Sequence, residues 1–89
     1  MNPKKSNRMN LMLQRYGYII IMITYRCGGK WEHDFRCFKT KEGAAAALGA
    51  GSCFGEVWEL VSMTEAKANG FEPEPAAFYD EAFLKEGTA

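Results

Sequence analysis

Cys27, His33, Cys37 and Cys53 carry the donor types of a zinc site, and Glu32, Asp34, Glu56 and Glu59 supply carboxylates of the kind used as general acid and base. Their spacing argues against both chemistries. Structural zinc sites draw ligands as close pairs from knuckles or helix turns, whereas Cys27 and Cys37 fall at opposite ends of a stretch that reads as a β-hairpin. His33 and Cys37, four residues apart on one strand, are about 13 Å apart at 3.3 Å per residue. That is too far to share an ion, and too far for a thiol and its base to come within hydrogen-bond reach. The carboxylates alternate along strand-like segments, which is the pattern of a solvated face. With one histidine and no phosphate-cradling glycine motif, no catalytic residue, metal or cofactor is expected. Gly28-Gly29 reads as a turn rather than a phosphate loop.

Three cysteines are an odd number that matches no disulfide framework, so reduced thiols and a cytoplasmic location are expected. The Ile-rich uncharged run over residues 16–25 is about half of what a helix needs to cross a bilayer and is bracketed by Arg15 and Arg26. Gln14 and Arg15 also interrupt the apolar residues that follow Lys4, Lys5 and Arg8, and no small-residue cleavage pattern comes after them, against a secretory signal. No membrane partner is expected.

The 89 residues, 47% of them apolar, suffice for a single domain with one modest core. Charge is sorted along the chain: residues 1–41 hold nine Lys or Arg against two acids, and residues 42–89 hold two against nine. A folded domain with this distribution has a strong dipole or two faces of opposite sign.

The elements that would position these residues follow from periodicity. Residues 1–7 read as a loose basic tail, after which Met9, Met12, Leu13 and Tyr16 recur at helical spacing behind a Ser6 or Asn7 cap, with Gly17 as the stop. An Ile-rich strand over residues 18–27, the Gly pair and an alternating strand over residues 30–38 make a hairpin. A three-residue loop, Gly28 to Lys30, gathers Ile19, Ile21, Ile23 and Tyr25 on one face with Cys37, Phe35 and His33, and sets Arg26 opposite Glu32 and Thr24 opposite Asp34. Two- or four-residue loops mix the isoleucines with acids and are disfavoured. Thr40 caps an Ala-rich helix that ends at Gly49 and Gly51, and residues 53–63 form a third strand. Ser62 and Glu65 make a capping box for a short helix ending at Gly70. Residues 71–75 are a Pro-containing breaker, and residues 76–86 carry Phe78, Tyr79, Ala82 and Phe83 on one helical stripe. The fold class predicted is α+β, a single domain over 1–89 with a three-stranded antiparallel sheet in order 2-1-3 and two or three short helices. Its central strand is apolar on both faces because both are covered.

Two binding readings follow. Protein recognition rests on Glu56 and Glu59 and on the run Phe78, Tyr79, Asp80, Glu81 and Phe83, where aromatic anchors alternate with acids, and on edge strands open to β-addition. The alternative use of that aromatic stripe is to pack on the chain's own sheet. Nucleic-acid binding rests on Arg26, Lys30, Trp31, Arg36 and Lys39 together with the basic tail; the overall pI of about 6.6 and the acidic half oppose it. Ile20, Met22 and Phe38 leave an apolar patch that would serve a homodimer.

The layout of Ile-rich strand, Gly-Gly turn, charged strand ending in Phe38-Lys39-Thr40-Lys41-Glu42-Gly43-Ala44, Ala-rich helix and third strand resembles the small accessory proteins of bacteriophages and mobile elements, some anti-CRISPR inhibitors among them. The resemblance covers residues 18–63 at the level of architecture. It implies a compact, non-enzymatic protein that blocks or diverts a larger host complex by surface complementarity.

Overall fold

The structure, a computed structural model, describes residues 2–50 and 55–84. Its element order is α1 (Pro3–Tyr16), β1 (Ile19–Cys27), β2 (Lys30–Phe38), α2 (Lys41–Ala50), β3 (Val57–Leu60), α3 (Met63–Ala68) and α4 (Asp80–Leu84). The sheet is antiparallel in order β2-β1-β3, the α+β topology expected, with β1 central and Ile19 to Ile23 buried along both faces.

The hairpin register differs from the expected one. Cys27 pairs with Lys30 across a two-residue Gly28-Gly29 loop, whose φ angles of 60° and 83° meet the type I′ requirement for two positive values. The turn decides the register, because residues 19–23 are apolar at both parities and pack equally well either way. Ile19, Ile21 and Ile23 therefore share a face with Phe38, Arg36 and Asp34, while Ile20 and Met22 share the other with Cys37 and Phe35. The mixture of isoleucine with charge is tolerated because Asp34 and Arg36 pair with each other at 2.7 Å.

Both faces are covered at the end nearest α1. Phe83 of α4 stacks on Phe38 and Trp58, each at 5.8 Å, on the face of Ile19 and Ile23. Phe71 lies 5.3 Å from Phe35 on the opposite face. The small side chains of α2 let it touch all three strands, with Ala44 and Ala47 fully buried. Ile20, Met22 and Phe38 are accordingly core residues, exposed by 3% or less, which removes the patch proposed for a homodimer.

Two boundary corrections concern the ends. The basic tail is helical from Pro3, because Asn2 caps the helix by accepting from the Lys5 amide at 2.8 Å and proline suits the first turn. The C-terminal helix is short: residues 76–79 are not helical, α4 starts at Asp80, and residues 85–86 of the predicted span lie outside the described residues. The third strand is Val57–Leu60, shorter than predicted, and Met63 belongs to α3; Gly51, Cys53 and Phe54 lie outside the described residues. Thr40 and Ser62 act as the caps predicted for them, accepting from the amides of Gly43 (3.0 Å) and Glu65 (3.1 Å).

Candidate functional site

The two candidate sets, one acidic and aromatic, the other basic, interlock in the fold. Arg36 stands 4.9 Å over the ring of Tyr79 and Lys39 stands 4.7 Å over that of Phe78. Asp80 accepts from the amides of Lys39 (2.8 Å) and Thr40 (3.0 Å) and from the Thr40 hydroxyl (2.7 Å). Partial burial pushes its carboxyl up, but these hydrogen bonds outweigh that effect and hold it below its ordinary 3.8. Phe83 is packed against the core. The C-terminal segment thus covers part of the basic hairpin within the same chain through its aromatic rings and the Asp80 hydrogen bonds, and Asp80 and Phe83 are committed to internal contacts. Phe78 and Tyr79 remain about one-third exposed, and Glu81 is exposed.

The same docking closes the outer edge of β2 at one end. The Tyr79 amide donates to the Cys37 carbonyl at 3.0 Å. Phe35, of the same parity and so turned to the same edge, donates its amide to Asp34 at 2.9 Å and receives Arg36 on its carbonyl at 3.0 Å. Side chains that occupy edge groups in this way blunt strand addition.

The opposite end of the sheet is open. Residues 26–34 are exposed, so the hairpin end extends beyond the covered part of the sheet. Arg26 pairs with Trp31 across the strands, its guanidinium 5.1 Å over the indole and hydrogen-bonded to the Gly29 carbonyl at 3.1 Å. Trp31 is 56% exposed and Val57 49%. They lie on one face, because Thr24 pairs with both His33 and Val57, and Arg26 and Trp31 form the next rung. A cleft beside them is lined by Tyr25, Arg26, Trp31, Gly55 and Glu56, and Glu56 is held there by the Trp58 indole N–H at 3.1 Å. Glu59, opposite Met22, borders the same face. Arg26, Trp31 and Glu56 come together here, with Lys30 at the turn; Glu59 lies two rungs back on the Trp31 face, and Arg36 and Lys39 lie apart over Tyr79 and Phe78. The sequence offers Tyr25 as a hairpin aromatic and Val57 as a residue of the third strand, but does not show that they meet an open end of the sheet. Their signal is indirect: β3 starts opposite Thr24, so the last turns of the hairpin have no third strand to cover them.

Among the described residues, no three His, Cys, Asp or Glu converge as a metal site. Cys27 is exposed and Cys37 buried, and burial pushes the Cys37 thiol up to about 11. Because the thiolate is the nucleophile, iodoacetamide on the folded protein is expected to label Cys27 well before Cys37, read by peptide mass spectrometry at timed quenches. Equal rates would contradict the buried position of Cys37. No helix among the described residues is long and apolar enough to cross a membrane. Comparison with protein-family models, with curated proteins and with solved structures finds no match.

Proposed function

We propose that this chain is a non-enzymatic protein-binding module that engages a larger partner through the open hairpin end, with Trp31 as the anchor. The observation that carries this reading is the exposed pair Trp31 and Val57 on one sheet face, with Arg26 over the indole, Glu56 in the adjoining cleft and Lys30 at the turn. A large aromatic within a rim of both charges is the arrangement of interface hot spots. The Arg26 stack fixes the indole beforehand, which lowers the ordering cost of binding. The resemblance of the layout to small phage accessory proteins accords with the same mode of action, occupation of a surface on a host complex, and the unpaired thiols of Cys27 and Cys37 suit a reducing cytoplasm.

Nucleic acid is the less favoured ligand, because the register leaves Arg26 as the hairpin cation on the Trp31 face and sets Lys30 on the other face with Glu32 and Asp34, where phosphates would meet both signs. The test uses Trp31→Ala and, as a surface control, Glu81→Ala. Trp31→Ala is expected to change stability by no more than about 0.5 kcal/mol, as surface substitutions do. It is also expected to lose at least one protein that wild type and Glu81→Ala both retain in quantitative affinity capture from a bacterial lysate. An unchanged set of retained proteins would overturn the reading, as would submicromolar, steeply salt-dependent binding to random single-stranded oligonucleotides.

A further inference from the structure

A second concave surface lies away from the hairpin end, between α1 and the start of α3. Leu11, Met12, Tyr16 and Met63 line it, with Arg8 and Arg15 alongside. Leu11 is 57% exposed and Tyr16 38%, so two large apolar side chains stand open at the mouth of a groove floored by buried Met12 and half-buried Met63. The groove holds about 200 Å³, room for one or two apolar side chains and less than the 300 Å³ or more usual for a small-molecule site. Every charged residue of α1 is a cation: Lys4, Lys5, Arg8 and Arg15. None of the lining side chains is acidic.

We propose that this groove binds an acidic amphipathic helix of a partner protein. Arg8 and Arg15 are seven residues apart on one helix face, about 10 Å along the axis. A helix laid along α1 presents carboxylates at i and i+7 with the same separation, and its i+3 and i+4 side chains fall between them, over Leu11 and Met63. The Arg8 guanidinium already donates to the Leu60 carbonyl at 3.3 Å, so its side chain is oriented before a ligand arrives and loses less freedom on binding. Charge and apolar pattern point to the same occupant. A phosphate backbone would use the arginines but gain nothing from the apolar floor, and a bilayer would meet a concave surface rather than a projecting one.

The test is fluorescence anisotropy with a labelled helical peptide carrying glutamates seven residues apart and leucines at the two positions midway between them. Binding in the micromolar range is expected at moderate salt. Arg15→Glu in the protein should weaken it about tenfold or more, and so should alanine in place of the peptide's leucines or of Leu11. Circular dichroism checks that the variants fold; if Arg15→Glu does not, Arg15→Gln replaces it, with a smaller loss expected. Trp31→Ala should leave this affinity unchanged, so failure here and failure of the hairpin surface are told apart. The proposal is overturned if the peptide does not bind, if the leucine-free peptide binds as well, or if the charge-reversed peptide does. Stronger binding to a random oligonucleotide or to vesicles with one-quarter anionic lipid would also overturn it, as would dimerisation that buries Leu11.

Discussion

Asp80→Ala is expected to lower the unfolding free energy by about 2 kcal/mol, a drop in melting temperature on the order of 10 °C for a domain of this size. One carboxylate receives two backbone amides and a hydroxyl at the start of α2. Removing it leaves those donors without their partner, and it also frees the N-terminus of α4, whose Phe83 covers Phe38 and Trp58. The contribution depends on pH with a definite sign. The folded-state pKa lies below the unfolded value of 3.8, so the stabilisation is fully present above that value and is lost as pH falls through the folded pKa. Urea melts of wild type and Asp80→Ala should therefore differ by a constant amount from pH 7 to pH 5 and converge in strong acid. A gap that widened on acidification would refute the assignment.

Gly43 is the other half of this contact. A Cβ there would stand 3.1 Å from the Asp80 Cα and closer still to its carboxyl group. Gly→Ala inside a helix normally stabilises by about 1 kcal/mol; Gly43→Ala is expected to destabilise instead, by about 1–2 kcal/mol, because α4 must move away. In the Asp80→Ala background the penalty should shrink, and the double-mutant cycle measures that coupling.

Phe38→Ala is expected to cost about 3–5 kcal/mol, a large share of the stability of so small a domain. Phe38 is fully buried, pairs across the hairpin with Ile19 and meets Phe83 at 5.8 Å. Phe83→Ala, only half-buried, should cost less, and the two losses should not add because they empty one cluster. Equilibrium urea unfolding monitored by tryptophan fluorescence reads both, since Trp58 belongs to the same cluster. A Phe38→Ala protein as stable as wild type would mean that the face under α4 is not core.

Much of the framework was legible along the chain. The Ile-rich segment is central because residues apolar at both parities need cover on both faces. Gly17, Gly70 and the Ser62 and Thr40 caps marked element ends because they satisfy orphan backbone groups locally, whereas α2 runs through Gly49 to Ala50 and the other expected stop, Gly51, lies outside the described residues. The Asn2-Pro3 start is equally local, since the Asn2 side chain accepts from the Lys5 amide, and it competes in the sequence with the Ser6 and Asn7 caps. The hairpin register was open to misreading because the central strand has no polar face to penalise a one-residue shift; two positive φ values at Gly28 and Gly29 fixed it instead.

The surfaces were less legible, since they depend on which distant segments meet. The chain alone determined how much charge there is, how it is ordered, that the thiols and single imidazole are too far apart on the hairpin for joint chemistry, and that one sheet of order 2-1-3 forms. Only the tertiary structure decided that Asp80 is drawn into the start of α2, that Arg36 and Lys39 lie over Tyr79 and Phe78, and that Trp31 and Leu11 remain exposed. The physical reason is range. Caps, turns and alternation act over a few residues and are written locally, whereas exposure of one side chain depends on the length and docking of elements tens of residues away, here a short β3 and a C-terminal segment held at its aspartate.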